Sequence, residues 1–400
     1  MTTSQVPAIR RGTPEFFRAN VAFFLASLSV FASLYSVQPL LPMFSDYWVH
    51  DAGTASFALS VTTAVMALSL IPASLLADRI GRHRLLVGSL IATGLLGLLV
   101  PLAQDWWQML GVRTLMGLTL AGIPGVSMSY LSEEMDPDAL GFSMGLYVGG
   151  TAIGGMAGRV IAGVLADLLG WRLGVGIVAG LILATSVGAA IMLPRPRHPA
   201  SGAISLRELW RRCRACFSDA GLPWLFASSF LLMGSFITIY NYAGFRLAEP
   251  PFSLSHSAIA AIFLVYILGS ASSAWAGGLA QRLGRRKVFW ALVATMGVGM
   301  ALTLFQSTPV IIGGLAIATT GYFGAHGVAS AWVTRRAGAV RGQASALYLV
   351  SYYIGASVLG TLGGYAWNAW AWPGVMLVCG GAALLALAIS IRLIFLPPLS

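Results

Sequence analysis

Residues 74–84 read S-L-L-A-D-R-I-G-R-H-R, and residues 277–287 read G-G-L-A-Q-R-L-G-R-R-K, displaced by 203. Each stretch closes one long apolar run and opens the next. A second echo links 147–158, Y-V-G-G-T-A-I-G-G-M-A-G, to 353–364, Y-I-G-A-S-V-L-G-T-L-G-G, displaced by 206. One echo can be chance. Two at nearly equal displacement, on matching apolar runs, mark a duplicated half.

The apolar runs fix the medium. Of 400 residues, 57% are hydrophobic and 9% charged, against roughly 25% charged in soluble domains. A charge at the centre of a bilayer costs at least about 2.5–3.5 kcal/mol, so a lipid-facing chain sheds charges. The runs are continuous rather than alternating, which predicts helices and not barrel strands. Spans are expected near 19–43, 54–77, 85–103, 107–130, 140–165 and 172–193, then 223–246, 256–278, 288–306, 309–332, 344–367 and 374–396. This gives an all-α integral membrane protein of twelve transmembrane helices in two pseudo-symmetric six-helix bundles. The expected division is 1–193, a cytoplasmic linker 194–222 opening with Pro194, Pro196 and Pro199, and 223–400.

Lys and Arg set the orientation. With the N-terminus inside, twenty of the 24 basic residues fall on the cytoplasmic side, and only Arg172 and Arg246 fall opposite. Both termini are then cytoplasmic. A net charge of +11 in short loops between apolar runs does not describe a nucleic-acid binder. Cys213, Cys216 and Cys379 give no disulfide framework; the Cys213/Cys216 pair lies in an Arg-rich loop without strand context. The first apolar run is too long for a signal-peptide core and lacks a small-residue cleavage site.

The sequence resembles the major facilitator superfamily over essentially its whole length. The stretch 74–86 looks like that family's signature loop, with Ser74 in place of the opening Gly and with Asp78, Arg79, Gly81 and Arg82 matching. Arg113 followed by Gly117 looks like the fourth-helix R-x-x-x-G motif. Gly145, Gly154 and Gly158 match the spacing of the fifth-helix antiporter motif, but Gly158–Arg159 stands where Gly-Pro is expected. Tyr35-Ser-Val-Gln38-Pro39-Leu-Leu-Pro42 is similar to the end of helix 1 in drug/proton exporters, and the combination looks most like the acriflavine-sensitivity branch. The resemblance implies a central cavity, alternating access, proton coupling through Arg113, and a cytoplasmic latch at Asp78 and Arg79.

Within the apolar runs the sharpest features are Arg113 and Arg159. An intramembrane arginine must be compensated, either by lining a cavity, where it holds an anion or tunes a proton-releasing neighbour, or by binding backbone carbonyls. No Asp or Glu stands near the centre of a span. That leaves His326 as the other strongly titratable group at depth, suited to proton exchange or to a plain carbonyl hydrogen bond. Tyr35, Gln38, Tyr147, Tyr240, Asn241 and Tyr352 are candidate cavity residues, with interface anchoring as the competing role for a Tyr near a span end. The acidic loop holding Glu133 and Glu134 and the basic loop holding Arg335 and Arg336 occupy matching places in the two halves. A gate pairing them across the halves is expected, against pairing of the acids with Arg79 or Arg82 of their own half. Gly145–Gly163 reads as a close-packing face that can bend.

The expected activity is secondary active efflux of a small amphipathic molecule in exchange for protons, by a monomer of the cell's inner membrane with lipid as its surroundings. The alternative is a carrier of an organic anion or sugar-like solute. No cofactor, metal or catalytic group is expected. The sequence has no H-E-x-x-H, no G-x-x-x-x-G-K-[ST] and no repeated filter loop, which argues against an embedded metalloenzyme, direct ATP drive and a channel.

Overall fold

A computed structural model of the protein describes residues 8–197 and 205–396; Pro199 of the expected linker lies outside them. Among the described residues all regular structure is helical apart from one bridge between Ile9 and Met135. Lipid offers no partner to a peptide group, so each crossing must close its hydrogen bonds within itself.

The first six spans are Pro14–Val49, Ala52–Ile80, Arg82–Leu102, Trp106–Glu134, Pro137–Leu169 and Trp171–Met192. Spans 7, 8 and 10 are Leu222–Ala248, His256–Leu283 and Thr308–Arg336. Span 9 is Arg285–Leu302, 18 residues whose first turn carries Arg285, Arg286 and Lys287. The remaining run, Gly338–Ile394, has 57 residues. At 1.5 Å per residue it is about 85 Å long, enough for two crossings. It breaks at Trp370 and at Ala371, which has φ 50°, just before Pro373. Spans 11 and 12 therefore join at a two-residue corner, tighter than the loop expected over 368–373. The protein is an all-α membrane protein of twelve spans in two six-helix repeats.

The repeats agree in detail. Gly81 (φ 94°, ψ 136°) joins spans 2 and 3, and Gly284 (φ 88°, ψ 131°) joins spans 8 and 9. Both need a backbone region that a side chain disfavours, which explains the glycine in each copy of the opening motif. In the first repeat, Gly150, Gly154 and Gly158 of span 5 meet Phe24, Leu28 and Ala32 of span 1. In the second, Gly355 and Gly363 of span 11 meet Phe230 and Thr238 of span 7, and Leu359 meets Gly234. The contacts step by four residues on both helices, so backbones touch where side chains are missing. Gly145, expected on the same face, borders open space.

The chain groups into two compact units: Met1–Ser36 with Leu68–Ile204, and Val37–Ala67 with Ser205–Ser400. These are cut differently from the sequence repeats. Residues 37–67, the end of span 1 and the start of span 2, pack within the second unit. Gln38 Nε2 donates to Asn241 Oδ1 at 2.7 Å, Ser357 Oγ donates to the Ser60 carbonyl at 2.9 Å, and Asn368 bonds Asp51. Gly53 lies against Gly364 with little more than backbone between them.

Candidate functional site

In the first unit two buried arginines converge on the point where span 1 stops being a regular helix. The α-helix ends at Tyr35, and a 3-10 turn begins at Gln38 before Pro39. Helix ends leave carbonyls without N–H partners. Arg113 of span 4, wholly buried, reaches two of them: Nη1 donates to the Ser33 carbonyl at 3.1 Å and Nη2 to the Leu34 carbonyl at 2.9 Å. The planar fork of guanidinium suits this paired grip. Arg159 of span 5, 2% exposed, donates from Nη1 to its own helix at the Gly155 carbonyl, 2.6 Å away, and its Cζ stands 4.0 Å from the Tyr35 ring centroid. A Cβ at residue 155 would come 3.2 Å from that Nη1, so Gly155 makes the room. Both arginines thus donate to backbone carbonyls, and Arg159 also sits on an aromatic face, a favourable place for a desolvated cation.

Tyr147 lies twelve residues before Arg159, about 18 Å along the helix, and does not join this cluster. It belongs to a patch nearer the 4–5 loop, with the buried hydroxyls of Ser127 and Ser143.

The second unit holds an aromatic cluster. Phe236 stacks on Tyr322 with centroids 3.9 Å apart, and Tyr240, Tyr266 and Phe323 surround it. Tyr322 in turn stacks over His326, whose Nδ1 is 3.0 Å from the Tyr348 hydroxyl, and Tyr352 flanks the same ring. Tyr322 donates to the Tyr352 hydroxyl at 3.0 Å, and the Tyr240 hydroxyl bonds Thr319 Oγ1 at 2.7 Å. His326 therefore contacts tyrosine rather than a backbone carbonyl. Tyr240, Asn241, Gln38, Tyr352 and His326 are all in this unit; Tyr35, Arg113, Arg159 and Tyr147 are in the other. The sequence reading passed over Phe236, Tyr322 and Tyr348. Their signal was present in the i, i+4 pairs Phe236/Tyr240, Tyr322/His326 and Tyr348/Tyr352, which share a helix face.

The loop charges find partners at home. Arg82 bonds Glu133 and lies 3.9 Å from Asp78, and the buried Glu134 accepts the Arg197 backbone N–H at 3.0 Å. Arg79 is exposed. Ile9 is pinned beside Glu134 and Asp136 by backbone bonds of 2.8 and 3.0 Å. In the second unit Arg336 pairs with Asp219 at 2.5 Å, while Arg335 is exposed beside Arg285. Glu133 and Glu134 thus have partners within their own unit, as in the own-half alternative, and Arg336 has one within its unit. Asp219, which no sequence motif marks, also accepts the N–H groups of Gly221 and Leu222 at 2.8 Å each, capping span 7.

Burial pushes the Asp219 carboxyl up, but the Arg336 guanidinium and the two N–H groups outweigh it and leave the carboxyl below its ordinary range. A carboxyl depressed in the fold contributes stability above its unfolded pKa of about 3.9, lost as pH falls through the lower folded value. Asp219→Asn should therefore lower the melting temperature at neutral pH and flatten its decline in acid. An unchanged melting curve across that range refutes a stabilising Asp219–Arg336 pair.

A chain of apolar spans, duplicated, with charged side chains confined to helix joints and two braced arginines at a broken helix, is a polytopic carrier of the membrane. Comparison with known proteins agrees. The model of the Major Facilitator Superfamily matches residues 23–248. The chain is 40% identical over 385 residues to the inner membrane transport protein YnfM of Escherichia coli (strain K12), covering 96% of this chain and 92% of that one. It is 38% identical to the uncharacterized MFS-type transporter YybF of Bacillus subtilis (strain 168), covering 96% and 95%. Among solved structures, nucleoside transporter NupG aligns with a TM-score of 0.77 at 16% identity over 94% of this chain and 99% of that one. A bacterial homolog of the human lysosomal transporter Spinster aligns at 0.74 and 14%, over 96% and 95%; these two bear on the fold alone. The protein belongs to the major facilitator superfamily and is a multi-pass membrane transporter.

Proposed function

We propose that this transporter is a secondary active exporter of a small amphipathic molecule, driven by inward proton movement through alternating access. The carrying observation is the cluster around His326. Rings of Phe236, Tyr322 and Tyr352 suit the apolar part of such a solute, tyrosine hydroxyls suit its polar part, and the imidazole among them, bonded to the Tyr348 hydroxyl, is a group able to take and give a proton. The two six-span repeats, 1–193 and 223–400, are the bodies whose rocking would expose the site to either side. The Lys and Arg distribution supports cytoplasmic termini, and the likeness to an inner membrane transport protein supports that membrane. The Tyr35–Pro42 stretch supports the acriflavine-sensitivity branch.

A second reading, carriage of an organic anion or sugar-like solute, has its own support. Arg113 and Arg159 meet at Ser33–Tyr35 in a region whose sequence carries no acid, and Arg159 replaces the proline of the antiporter pattern. Flux of an amphipathic fluorescent dye in proteoliposomes separates the readings. An imposed pH gradient should accelerate dye movement, and His326→Gln should reduce it to the gradient-independent level. Indifference to the gradient ends the proton-exchange reading. Strong preference of the wild-type protein for organic anions over neutral and cationic solutes favours the second.

A further inference from the structure

The linker contains a 13-residue helix, Leu206–Ser218, begun by the Ser205 side chain on the Glu208 N–H and followed by Asp219. It packs along one seam against its own unit. Cys216 is buried, and Leu209, Arg212 and Cys213 are half-buried. Advancing about 100° per residue, the exposed side divides into three strips. Next to the seam on one flank stand Trp210, 72% exposed, and Phe217, 59% exposed. The outermost strip holds Arg207, Arg211 and Arg214, all exposed. The other flank carries Ala215 and Glu208, the latter bonded to Arg211 and Arg212 at 2.7 Å each.

A helix surrounded by water on its free side has no reason to sort aromatic rings to one flank and polar groups to the other. A helix lying in a membrane interface does: rings enter the acyl boundary, arginines meet headgroups, and the far flank faces water. The helix follows span 6 and leads directly into span 7, where Trp224 is also exposed, so it lies at the depth of span ends. We propose that the Leu206–Ser218 helix is an interfacial docking element for anionic phospholipid headgroups, with Arg207 and Arg214 as the principal phosphate contacts and Trp210 and Phe217 as anchors. The positive-inside count assigns this surface to the cytoplasmic leaflet, where anionic lipids attract basic segments.

Hydrogen exchange of the peptide covering 206–218, in the full-length protein, tests the proposal in nanodiscs of phosphatidylcholine alone and of phosphatidylcholine with phosphatidylglycerol. Both leaflets carry the same lipid, so the readout is independent of orientation and of what is transported. Exchange should slow several-fold with phosphatidylglycerol, and Arg207→Gln/Arg214→Gln should remove that difference. Trp210→Ala should weaken protection in both lipids. Equal exchange of the wild-type helix in the two nanodiscs overturns the proposal, as does full phosphatidylglycerol protection in the double arginine variant, which assigns the effect to other basic loops.

Discussion

In an Arg113→Ala variant, transport in proteoliposomes should fall near the level of empty vesicles, and the protein should melt at lower temperature. The guanidinium supplies donors to two carbonyls at the end of the regular part of span 1. Removing it leaves the Ser33 carbonyl with only the long 3.5 Å bond from the Ser36 hydroxyl and takes the guanidinium from the Leu34 carbonyl, and a buried unsatisfied polar group costs about 1–3 kcal/mol. The functional loss should exceed what instability explains, because the same carbonyls fix the register of Tyr35, on whose ring Arg159 rests. Arg113→Lys separates these effects. Lysine keeps the charge but presents a point donor, unable to grip two carbonyls with a planar fork. It should recover part of the melting temperature and little of the transport. Wild-type flux in Arg113→Ala would show that the broken end of span 1 needs no brace.

The second large effect concerns the seam between spans 1 and 5. A Cβ at residue 158 would lie 2.6 Å from Ala32 Cα and 2.9 Å from the Ala32 carbonyl oxygen. These are backbone atoms in the middle of a helix, so no rotamer change relieves the clash and the two helices must part. Overpacking of this kind costs about 1–3 kcal/mol or more. Gly158→Val should thus yield little monodisperse protein on size-exclusion chromatography in detergent. Gly145→Val, on the same helix but facing open space, should behave as wild type. If the two variants elute alike, the seam is not held by glycine contact.

Spans, repeats and the packing role of the glycine runs were legible because they follow from local physics: continuous apolar length, a fixed displacement, and missing side chains every fourth residue. The Arg113–span 1 brace was legible only as an alternative. Its partners are carbonyls, which every residue carries, so no motif announces them. Asp219 escaped notice for a related reason. It is one acid in an irregular linker, and its worth comes from Arg336, 117 positions further on. Which partners Glu133 and Glu134 take within their own unit was not legible either: Arg82 and the Arg197 backbone hold them there, and loop composition alone cannot rank partners by distance.

The membership of residues 37–67 in the second unit has a bearing on how the gene can be divided. A cut inside the linker looks natural from the repeats, yet it delivers two polypeptides neither of which corresponds to a compact unit. The downstream product is missing the strip of chain that meets Asn241, Ser357 and Asn368. The upstream product keeps the whole first unit but carries a strip belonging to the second, so the boundary of descent and the boundary of packing no longer coincide.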